Sequence, residues 1–168
     1  FAFLSEKMRK FNGFYIRKRA IRDYQTEIGA NVLGYIAEVN PDNLYKDDYY
    51  KFGDLIGKLG VEKSYEKELR GIKGVKYIQK DIYNRDIGPY KEQKFDTLPI
   101  PGKDIKITID AELQAYGEKL MKNKIGGIVA IEPKTGELLS LVSAPSYNPG
   151  LLAGRARSKN YMKLYQDS

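Results

Sequence analysis

A serine and a lysine stand three residues apart in the stretch Ser64-Tyr65-Glu66-Lys67. On a helix this spacing would place both side chains on one face, one turn apart. A serine in that position can act as a nucleophile when the lysine amine accepts its proton. The sequence contains no histidine and no cysteine, so a Ser-His-Asp triad, a thiolate nucleophile, a disulfide and a His or Cys metal site are excluded. Ser64 and Lys67 are therefore the first candidates for chemistry, and that chemistry would be acyl transfer.

Two further short motifs, Lys134-Thr135-Gly136 and Ser146-Tyr147-Asn148, complete the three signatures of serine enzymes that react with penicillin. In those enzymes the Lys-Thr-Gly lies on a strand that pairs with the substrate. Here Gly136 is expected in a tight turn between two strands, where a positive φ is needed. The Ser-x-Asn also follows the Lys-Thr-Gly instead of preceding it, and the Ser64 helix is strongly charged, with no apolar pocket. We interpret all three motifs as chance matches, and we predict no catalytic, cofactor-binding or metal-binding residue in this chain.

Short helices and strands are predicted along the first two thirds of the chain from apolar spacing and turn residues. In order, they are a helix over 1–11, a strand over 14–24, a short helix capped by Thr26, a strand over 34–39, a polar tyrosine-rich loop over 43–54, a helix over 61–70, a hairpin with arms at 75–81 and 87–90, and a linker over 91–104. The helix over 61–70 carries Val61, Tyr65 and Leu69 at helical spacing. Glu62 lies in its first turn, where a carboxylate favours the helix dipole.

The last third of the chain predicts one strand, one helix and one hairpin. Three isoleucines alternate through the predicted strand over 104–110. Asp110 then caps a predicted helix over 111–123. The apolar stripe of this helix comprises Leu113, Tyr116 and Leu120. The strands predicted over 128–133 and 137–145 are nearly continuous apolar runs, so we expect this hairpin to be covered on both faces.

Composition fits a globular chain of one ordinary domain or two small ones. Its 168 residues are 42% hydrophobic and 30% charged, with a net charge of +7 and 14 tyrosines. No apolar run approaches the roughly 20 residues of a membrane-spanning helix, and no signal peptide is visible at the start. The charge leaves open a basic, tyrosine-rich nucleic-acid-binding module around Arg17-Lys18-Arg19, which a steep salt dependence of oligonucleotide binding would reveal. A small hydrolase using Ser64 and Lys67 is the second alternative.

Several long stretches, read together, resemble the monofunctional class B penicillin-binding proteins. Residues 54–75 are similar to the family pattern Ile-Gly-x-x-Gly-x-Glu-x-x-Tyr-Glu-x-x-Leu-x-Gly-x-x-Gly. Residues 22–40 are similar to the upstream pattern Arg-x-x-Pro-x-Gly-x-x-Ala-x-x-x-Gly-Tyr. Residues 107–121, 126–149 and 158–167 look like the opening of the family's transpeptidase domain. The resemblance runs from about Arg17 to the end of the chain.

The resemblance implies an α+β fold in two parts. Residues 1–98 would form a pedestal, or dimerisation-type domain, of mixed strands and helices. Residues 99–168 would supply the strand, helix and hairpin that begin the antiparallel transpeptidase sheet, and we expect the family's catalytic Ser-x-x-Lys to lie beyond them. The parent protein would be a periplasmic peptidoglycan D,D-transpeptidase, anchored in the inner membrane by a segment absent here. The chain itself would be inactive, membrane-proximal and not membrane-spanning.

The resemblance also implies partners for this part of the protein. They are the remainder of its own transpeptidase domain, cell-wall morphogenesis proteins and a glycosyltransferase, with no nucleic acid. β-Lactams would bind only through the catalytic part, and no cofactor is implied. Two residues depart from the family pattern: Gln25 stands in place of Pro and Glu27 in place of Gly. We expect the turn after Arg22 to differ accordingly.

Eight residues form the predicted structural motif. They are Arg22, Gly34, Gly57, Gly60, Glu62, Tyr65, Gly71 and Gly136. Among them Arg22 and Glu62 are the charged residues that the two pedestal segments share with the family. Since glycines permit close backbone approach, and since a guanidinium matches a carboxylate with two parallel hydrogen bonds, we predict a bidentate ion pair between Arg22 and Glu62.

Overall fold

The computed structural model of the chain describes residues 2–7, 10–11, 21–154 and 156–166. Arg17-Lys18-Arg19 lies outside the described residues, as does most of the strand predicted over 14–24. Residues 21–24 have no regular secondary structure, so the described end of that prediction is wrong. Helix α1 covers Ala2–Lys7, within the helix predicted over 1–11.

A small two-stranded sheet organises residues 29–69. In chain order the elements are α2 (Ala30–Leu33), β1 (Ile36–Glu38), α3 (Pro41–Lys46), β2 (Leu55–Gly57), α4 (Gly60–Ser64) and α5 (Glu66–Leu69). β1 and β2 are antiparallel, with Ile36 opposite Gly57 and Glu38 opposite Leu55. The strand predicted over 34–39 is therefore confirmed. Its core contains Ala30, Ala37, Val39 and Tyr50, all buried.

Helix α3 replaces the first part of the predicted loop over 43–54. The backbone amide of Asn40 donates to Asn43 Oδ1 at 3.2 Å, which satisfies a donor at the start of the helix. Pro41 occupies the first helical turn, where its missing N–H costs no hydrogen bond. The Asn-Pro pair, interpreted from the sequence as a turn, therefore starts a helix.

Two other helix predictions are corrected at their boundaries. The helix predicted from Thr26 begins later, because Gly29 (φ 71°) precedes α2. The helix predicted over 61–70 is interrupted at Tyr65, whose φ of −112° and ψ of 25° are not helical. Tyr65 is 45% exposed, whereas Glu62 is 8% exposed. The face of α4 that packs against the protein therefore carries Glu62, and Tyr65 lies outside it.

Residues 71–103 form a two-sided arm. β3 (Ile78–Lys80) and β4 (Asp86–Pro89) pair antiparallel around Asn84, as predicted. Pairing continues toward the base of the arm, where Ile72 pairs with Ile100 and Val75 with Thr97. The linker predicted over 91–104 is wrong in this paired part, because it is the returning side of the arm. The domain boundary predicted after residue 98 lies in the same segment and stays a prediction.

A helix and a hairpin form the second unit of the chain, which we call the α6–hairpin unit. It comprises α6 (Ala111–Leu120), β5 (Gly126–Ile131) and β6 (Leu138–Ala144). β5 and β6 pair antiparallel from Gly126 opposite Ala144 to Ile131 opposite Leu138. Asp110 caps α6 as predicted, its Oδ1 accepting from the Leu113 amide at 2.9 Å.

The strand predicted over 104–110 is wrong, because that segment has no regular secondary structure. Two hydrogen bonds hold it beside the start of β6: Thr108 Oγ1 donates to the Leu138 carbonyl at 2.7 Å, and the Asp110 amide donates to the Leu139 carbonyl at 2.8 Å. The alternation of apolar residues therefore predicted a strand where the chain forms these two hydrogen bonds and no regular ladder of backbone pairs.

The face of α6 that packs on the hairpin is polar. Gln114 is 2% exposed, and Gly117 is buried beside Val142. The predicted apolar stripe lies on the uncovered side of α6: Leu113 is 38% exposed, Tyr116 is 59% exposed and Leu120 is 44% exposed. α6 therefore has a second apolar face that the described residues leave open.

One face of the hairpin is also open. Ser140, Val142 and Ala144 are buried on the side that faces α6, whereas Val129 is 55% exposed and Ile131 is 56% exposed. The expectation of cover on both faces is therefore met on one face only within the described chain.

Helix α7 (Arg157–Gln166) follows the hairpin and was not predicted. The α+β fold class is confirmed.

The tip of the β5–β6 hairpin explains the Lys-Thr-Gly match. Gly136 has a φ of 77°, and its amide donates to the Glu132 carbonyl at 2.8 Å. Lys134 is exposed at this tip. The motif therefore closes a turn and lines no substrate strand.

We expect Lys134→Ala to change the free energy of unfolding by no more than about 0.5 kcal/mol, as for most surface changes. Gly136→Val should cost about 2 kcal/mol, because a β-branched residue resists a positive φ. Urea unfolding of both variants measures the two effects. Equal stability of the two variants would show that the turn does not require glycine.

Candidate functional site

Arg22 and Glu62 form the predicted bidentate ion pair. Arg22 Nε donates to Glu62 Oε1 at 2.7 Å, and the second guanidinium nitrogen, Nη2, donates to Glu62 Oε2 at 2.9 Å. The Glu62 side chain is 10% exposed and the Arg22 side chain is 39% exposed. Both oxygens of a nearly buried carboxylate are thereby paired, while the guanidinium keeps contact with water. The pair joins the segment that precedes α2 to the first turn of α4.

Three glycines make this geometry possible. A Cβ added to Gly34 would lie 1.9 Å from the Leu59 carbonyl oxygen, and one added to Gly60 would lie 2.3 Å from the Val32 carbonyl oxygen. A Cβ added to Gly57 would lie 2.0 Å from the Glu62 carbonyl oxygen. The backbone of α4 therefore lies directly against β2 and the end of α2. We call Arg22, Gly34, Gly57, Gly60 and Glu62 together the Arg22–Glu62 junction.

Tyr24 lies beside the ion pair. Burial raises the pKa of its phenol to about 12, and the nearby Glu62 carboxylate adds to that rise. Within the described part of the chain, its hydroxyl is a buried side-chain oxygen with no hydrogen-bond partner. The phenol is therefore neutral at ordinary pH and contributes packing next to Glu62.

A second polar cluster, absent from the sequence predictions, forms around Glu66 and Arg70, in α5 and at its end. Glu66 accepts from the Tyr50 hydroxyl at 2.8 Å and from the Gly57 amide at 2.7 Å. Arg70 pairs with Asp47 at 2.6 Å and stacks on the Tyr49 ring at 4.0 Å. The hydrogen bond from Arg70 lowers the pKa of the Asp47 carboxyl. Glu66 and Arg70 lie four residues apart, which places both on one helical face, and that spacing was the available signal.

The remaining predicted motif residues lie elsewhere. Gly71 is at the base of the arm, where an added Cβ would lie 2.3 Å from the Ile100 carbonyl oxygen. Gly136 is at the hairpin tip, and Tyr65 is an exposed residue between α4 and α5. The structure brings together five of the eight predicted residues and leaves these three apart from them.

Ser64 and Lys67 do not share one helix. Ser64 is the last residue of α4 and Lys67 belongs to α5, with the non-helical Tyr65 between them. Both side chains are exposed. A serine nucleophile and its lysine base need a common face in a cleft, so this pair has no catalytic geometry. Among the described residues, no group of three or more acidic side chains could hold a metal ion.

None of the described helices is long and apolar enough to cross a membrane.

The Arg22–Glu62 junction and the second polar cluster, around Glu66 and Arg70, both use charged side chains to fix backbone segments. Both sets of contacts therefore hold separate segments of the backbone together.

Comparison with known families agrees with this picture. Residues 1–107 match the family described as the penicillin-binding protein dimerisation domain. Because the match covers more than half of the 168 residues, the chain belongs to this family.

Individual relatives carry the similarity beyond that domain. The chain is 36% identical over 163 residues to the peptidoglycan D,D-transpeptidase MrdA of Acinetobacter baumannii, covering 95% of this chain and 24% of the relative. It is 34% identical over 166 residues to MrdA of Escherichia coli strain K12, covering 94% of this chain and 25% of the relative. The chain thus spans about a quarter of the length of these relatives.

Solved structures give the same result. PBP2 of Helicobacter pylori, in its complex with MreC, matches with a TM-score of 0.78 at 28% identity, over 99% of this chain and 31% of that chain. PBP2 of Pseudomonas aeruginosa matches with a TM-score of 0.64 at 35% identity, over 88% of this chain and 29% of that chain. The resemblance to the class B penicillin-binding proteins, and to penicillin-binding protein 2 among them, is confirmed.

Proposed function

We propose that this chain is a non-catalytic part of a PBP2-like peptidoglycan D,D-transpeptidase. Residues 1–98 act as a pedestal that spaces the catalytic domain from the membrane. Residues 99–168 begin the transpeptidase domain, whose acylated serine lies in a part of the protein outside this chain. The parent protein is periplasmic, anchored in the inner membrane, and cross-links stem peptides of the cell wall that determines cell shape.

The observation that carries this proposal is the pair of open apolar faces on the α6–hairpin unit. Val129, Ile131 and Leu141 lie on one face of the hairpin, and the stripe of Leu113, Tyr116 and Leu120 lies on the outer side of α6. A two-stranded hairpin is marginally stable alone and needs further strands or helices to cover it. The remainder of a transpeptidase domain would supply that cover on both elements.

Partners are proposed from the relatives. One similar structure contains PBP2 with MreC. Another, with a TM-score of 0.68 at 27% identity, concerns polymerisation and crosslinking by a peptidoglycan synthase complex. We propose that the pedestal of this protein likewise docks a morphogenesis protein and a glycosyltransferase.

Neither alternative gains support from the site. The hydrolase would need Ser64 and Lys67 on one face, and they lie exposed on two separate helices. In the described chain, tyrosines 49 and 50 pack with Arg70 and Glu66 inside the protein's own fold. These two rings are therefore not a free stacking platform for nucleic-acid bases.

A fluorescent penicillin tests the proposal. We expect no covalent label on this chain after incubation and denaturing electrophoresis, because Ser64 and Lys67 lie exposed on two separate helices. The matched control is Ser64→Ala, which should be indistinguishable from the unaltered chain. Stoichiometric labelling that is lost in Ser64→Ala would overturn the proposal in favour of a Ser/Lys hydrolase.

A further inference from the structure

Residues 27–31 lie against the α6–hairpin unit; two hydrogen bonds join them to it, and a third joins them to Asn148 just after β6. The Gly29 amide donates to Glu118 Oε1 at 2.7 Å, across 89 residues of sequence. The Asn31 side chain donates to the Ser143 carbonyl at 3.2 Å. The Asn148 side chain donates to Glu27 Oε1 at 2.8 Å. The two halves of the chain are therefore connected through specific polar groups as well as through the arm.

Glu118 also contacts a buried residue of its own helix, Gln114. Gln114 Nε2 donates to the same Glu118 oxygen at 3.0 Å and to the Leu141 carbonyl at 3.0 Å. Gln114 Oε1 accepts from Ser140 Oγ at 3.0 Å and from the Leu141 amide at 2.9 Å. All four hydrogen-bonding positions of the Gln114 amide are thereby used, although the residue is only 2% exposed. A buried polar network that is fully satisfied favours a single arrangement of its members.

The other end of the network leads to the Arg22–Glu62 junction. Gly29 is buried, has a φ of 71°, and its carbonyl accepts from the Leu33 amide at 2.8 Å, so it opens α2. α2 ends at Leu33, and the backbone of the next residue, Gly34, lies against Leu59 just before α4. A continuous set of contacts thus runs from β6 through Gln114, Glu118 and Gly29 to the junction. We call Gly29, Gln114 and Glu118 the Glu118 network.

We propose that Glu118 is a positioning residue that fixes the orientation of the Arg22–Glu62 junction relative to the α6–hairpin unit. One of its carboxylate oxygens accepts from both sides, so losing Glu118 removes the contact between the start of α2 and α6. The hydrogen bonds of Asn31 and Glu27 described above would then still join the two parts through side chains. Glu27, where the family pattern has glycine, accepts from Asn148 at the edge of a groove of about 480 Å³ that Glu118 also lines. In the parent protein, the same contact would fix the orientation of the catalytic domain on the pedestal. This consequence for catalysis rests on the proposed function.

Because the chain has no cysteine, two introduced cysteines can carry spin labels without interference. Tyr45 on α3, which is 89% exposed, and Lys134 at the hairpin tip report on the two sides of the network. Double electron–electron resonance then measures the distribution of distances between Tyr45→Cys and Lys134→Cys. Glu118→Ala removes the acceptor, Glu118→Gln keeps an acceptor oxygen, and Glu112→Ala is the control on the exposed side of α6.

We expect one narrow distance distribution in the chain with Glu118, in Glu118→Gln and in Glu112→Ala. In Glu118→Ala we expect it to broaden by about twofold or to split, with α6 and the hairpin still folded by circular dichroism, since a lost network opens locally before the whole chain unfolds. A distribution in folded Glu118→Ala identical to that of Glu112→Ala would overturn the proposal.

If Glu118→Ala does not fold, amide hydrogen exchange of the unaltered chain decides. Gly29 should exchange at least about tenfold more slowly than an unstructured amide, because its N–H is held by Glu118. Exchange of Gly29 at the unstructured rate would overturn the proposal. Neither readout involves penicillin, so the proposed function can fail while this inference stands.

Discussion

Gly34→Ala is expected to destabilise the chain by about 3 kcal/mol or more. The new Cβ would lie 1.9 Å from the Leu59 carbonyl oxygen and 2.4 Å from its carbonyl carbon. These are backbone atoms, so relief requires α2 and α4 to separate. Overpacking of this kind costs about 1–3 kcal/mol and occasionally more. The combination of φ 79° and ψ −156° is open almost only to glycine, so it adds about 1–3 kcal/mol for a residue with a Cβ.

Gly136→Ala is the matched control for this prediction. Gly136 has nearly the same φ, 77°, but an added Cβ would meet nothing within 4 Å. It should therefore cost only the backbone strain, about 1–2 kcal/mol. Urea unfolding compares the two variants at one temperature. Equal stability of Gly34→Ala and Gly136→Ala would show that close approach at the junction does not matter.

Arg22→Ala is expected to destabilise the chain more than Glu62→Ala. Removing Arg22 leaves a carboxylate whose side chain is only 10% exposed without its counterion, at a cost of about 3 kcal/mol. Removing Glu62 leaves a guanidinium that is 39% exposed, which water can solvate, so about 1–2 kcal/mol is expected. The double variant should lose less than the sum of the two, because neither charge is then stranded.

Arg85→Ala serves as the control for the ion pair. Arg85 pairs with Asp81 at 2.6 Å, but its side chain is 74% exposed. Surface pairs of this kind contribute about 1 kcal/mol or less. Chemical denaturation of all the variants gives the ranking. The account of the junction is contradicted if Glu62→Ala costs more than Arg22→Ala, or if both cost no more than Arg85→Ala.

The ion pair and the glycines of the junction could be predicted because the resemblance to the family singles out these residues, although Arg22 and Glu62 are 40 residues apart. An arginine matches a carboxylate in one geometry, and Gly57 and Gly60 on either side of a strand end permit backbone contact. Asp110 as a cap and the turn at Asn84 followed from single residue types. The cap and the turn need no knowledge of what packs on them.

The face of each helix that packs against the rest of the protein could not be predicted, because tertiary contacts decide it. On α6 the apolar stripe of Leu113, Tyr116 and Leu120 favoured the wrong side, since Gln114 is buried by the backbone groups of β6 that satisfy its amide. On α4 the buried residue is Glu62, because Arg22 neutralises it there. The returning side of the arm was missed because prolines in 91–104 suggested a linker. The glycines at 71, 74 and 102 were the available signal, since each lies within contact of the opposite backbone.

The measurement that tests the central claim most directly is the location of the penicillin-labelled residue in the longer protein to which we assign this chain. The product of the full gene is labelled with a fluorescent penicillin, digested, and its labelled peptide is sequenced by mass spectrometry. The account predicts one labelled serine, followed three residues later by lysine, outside residues 1–168. A label on Ser64, or a full-length protein that does not react with penicillin at all, would contradict it.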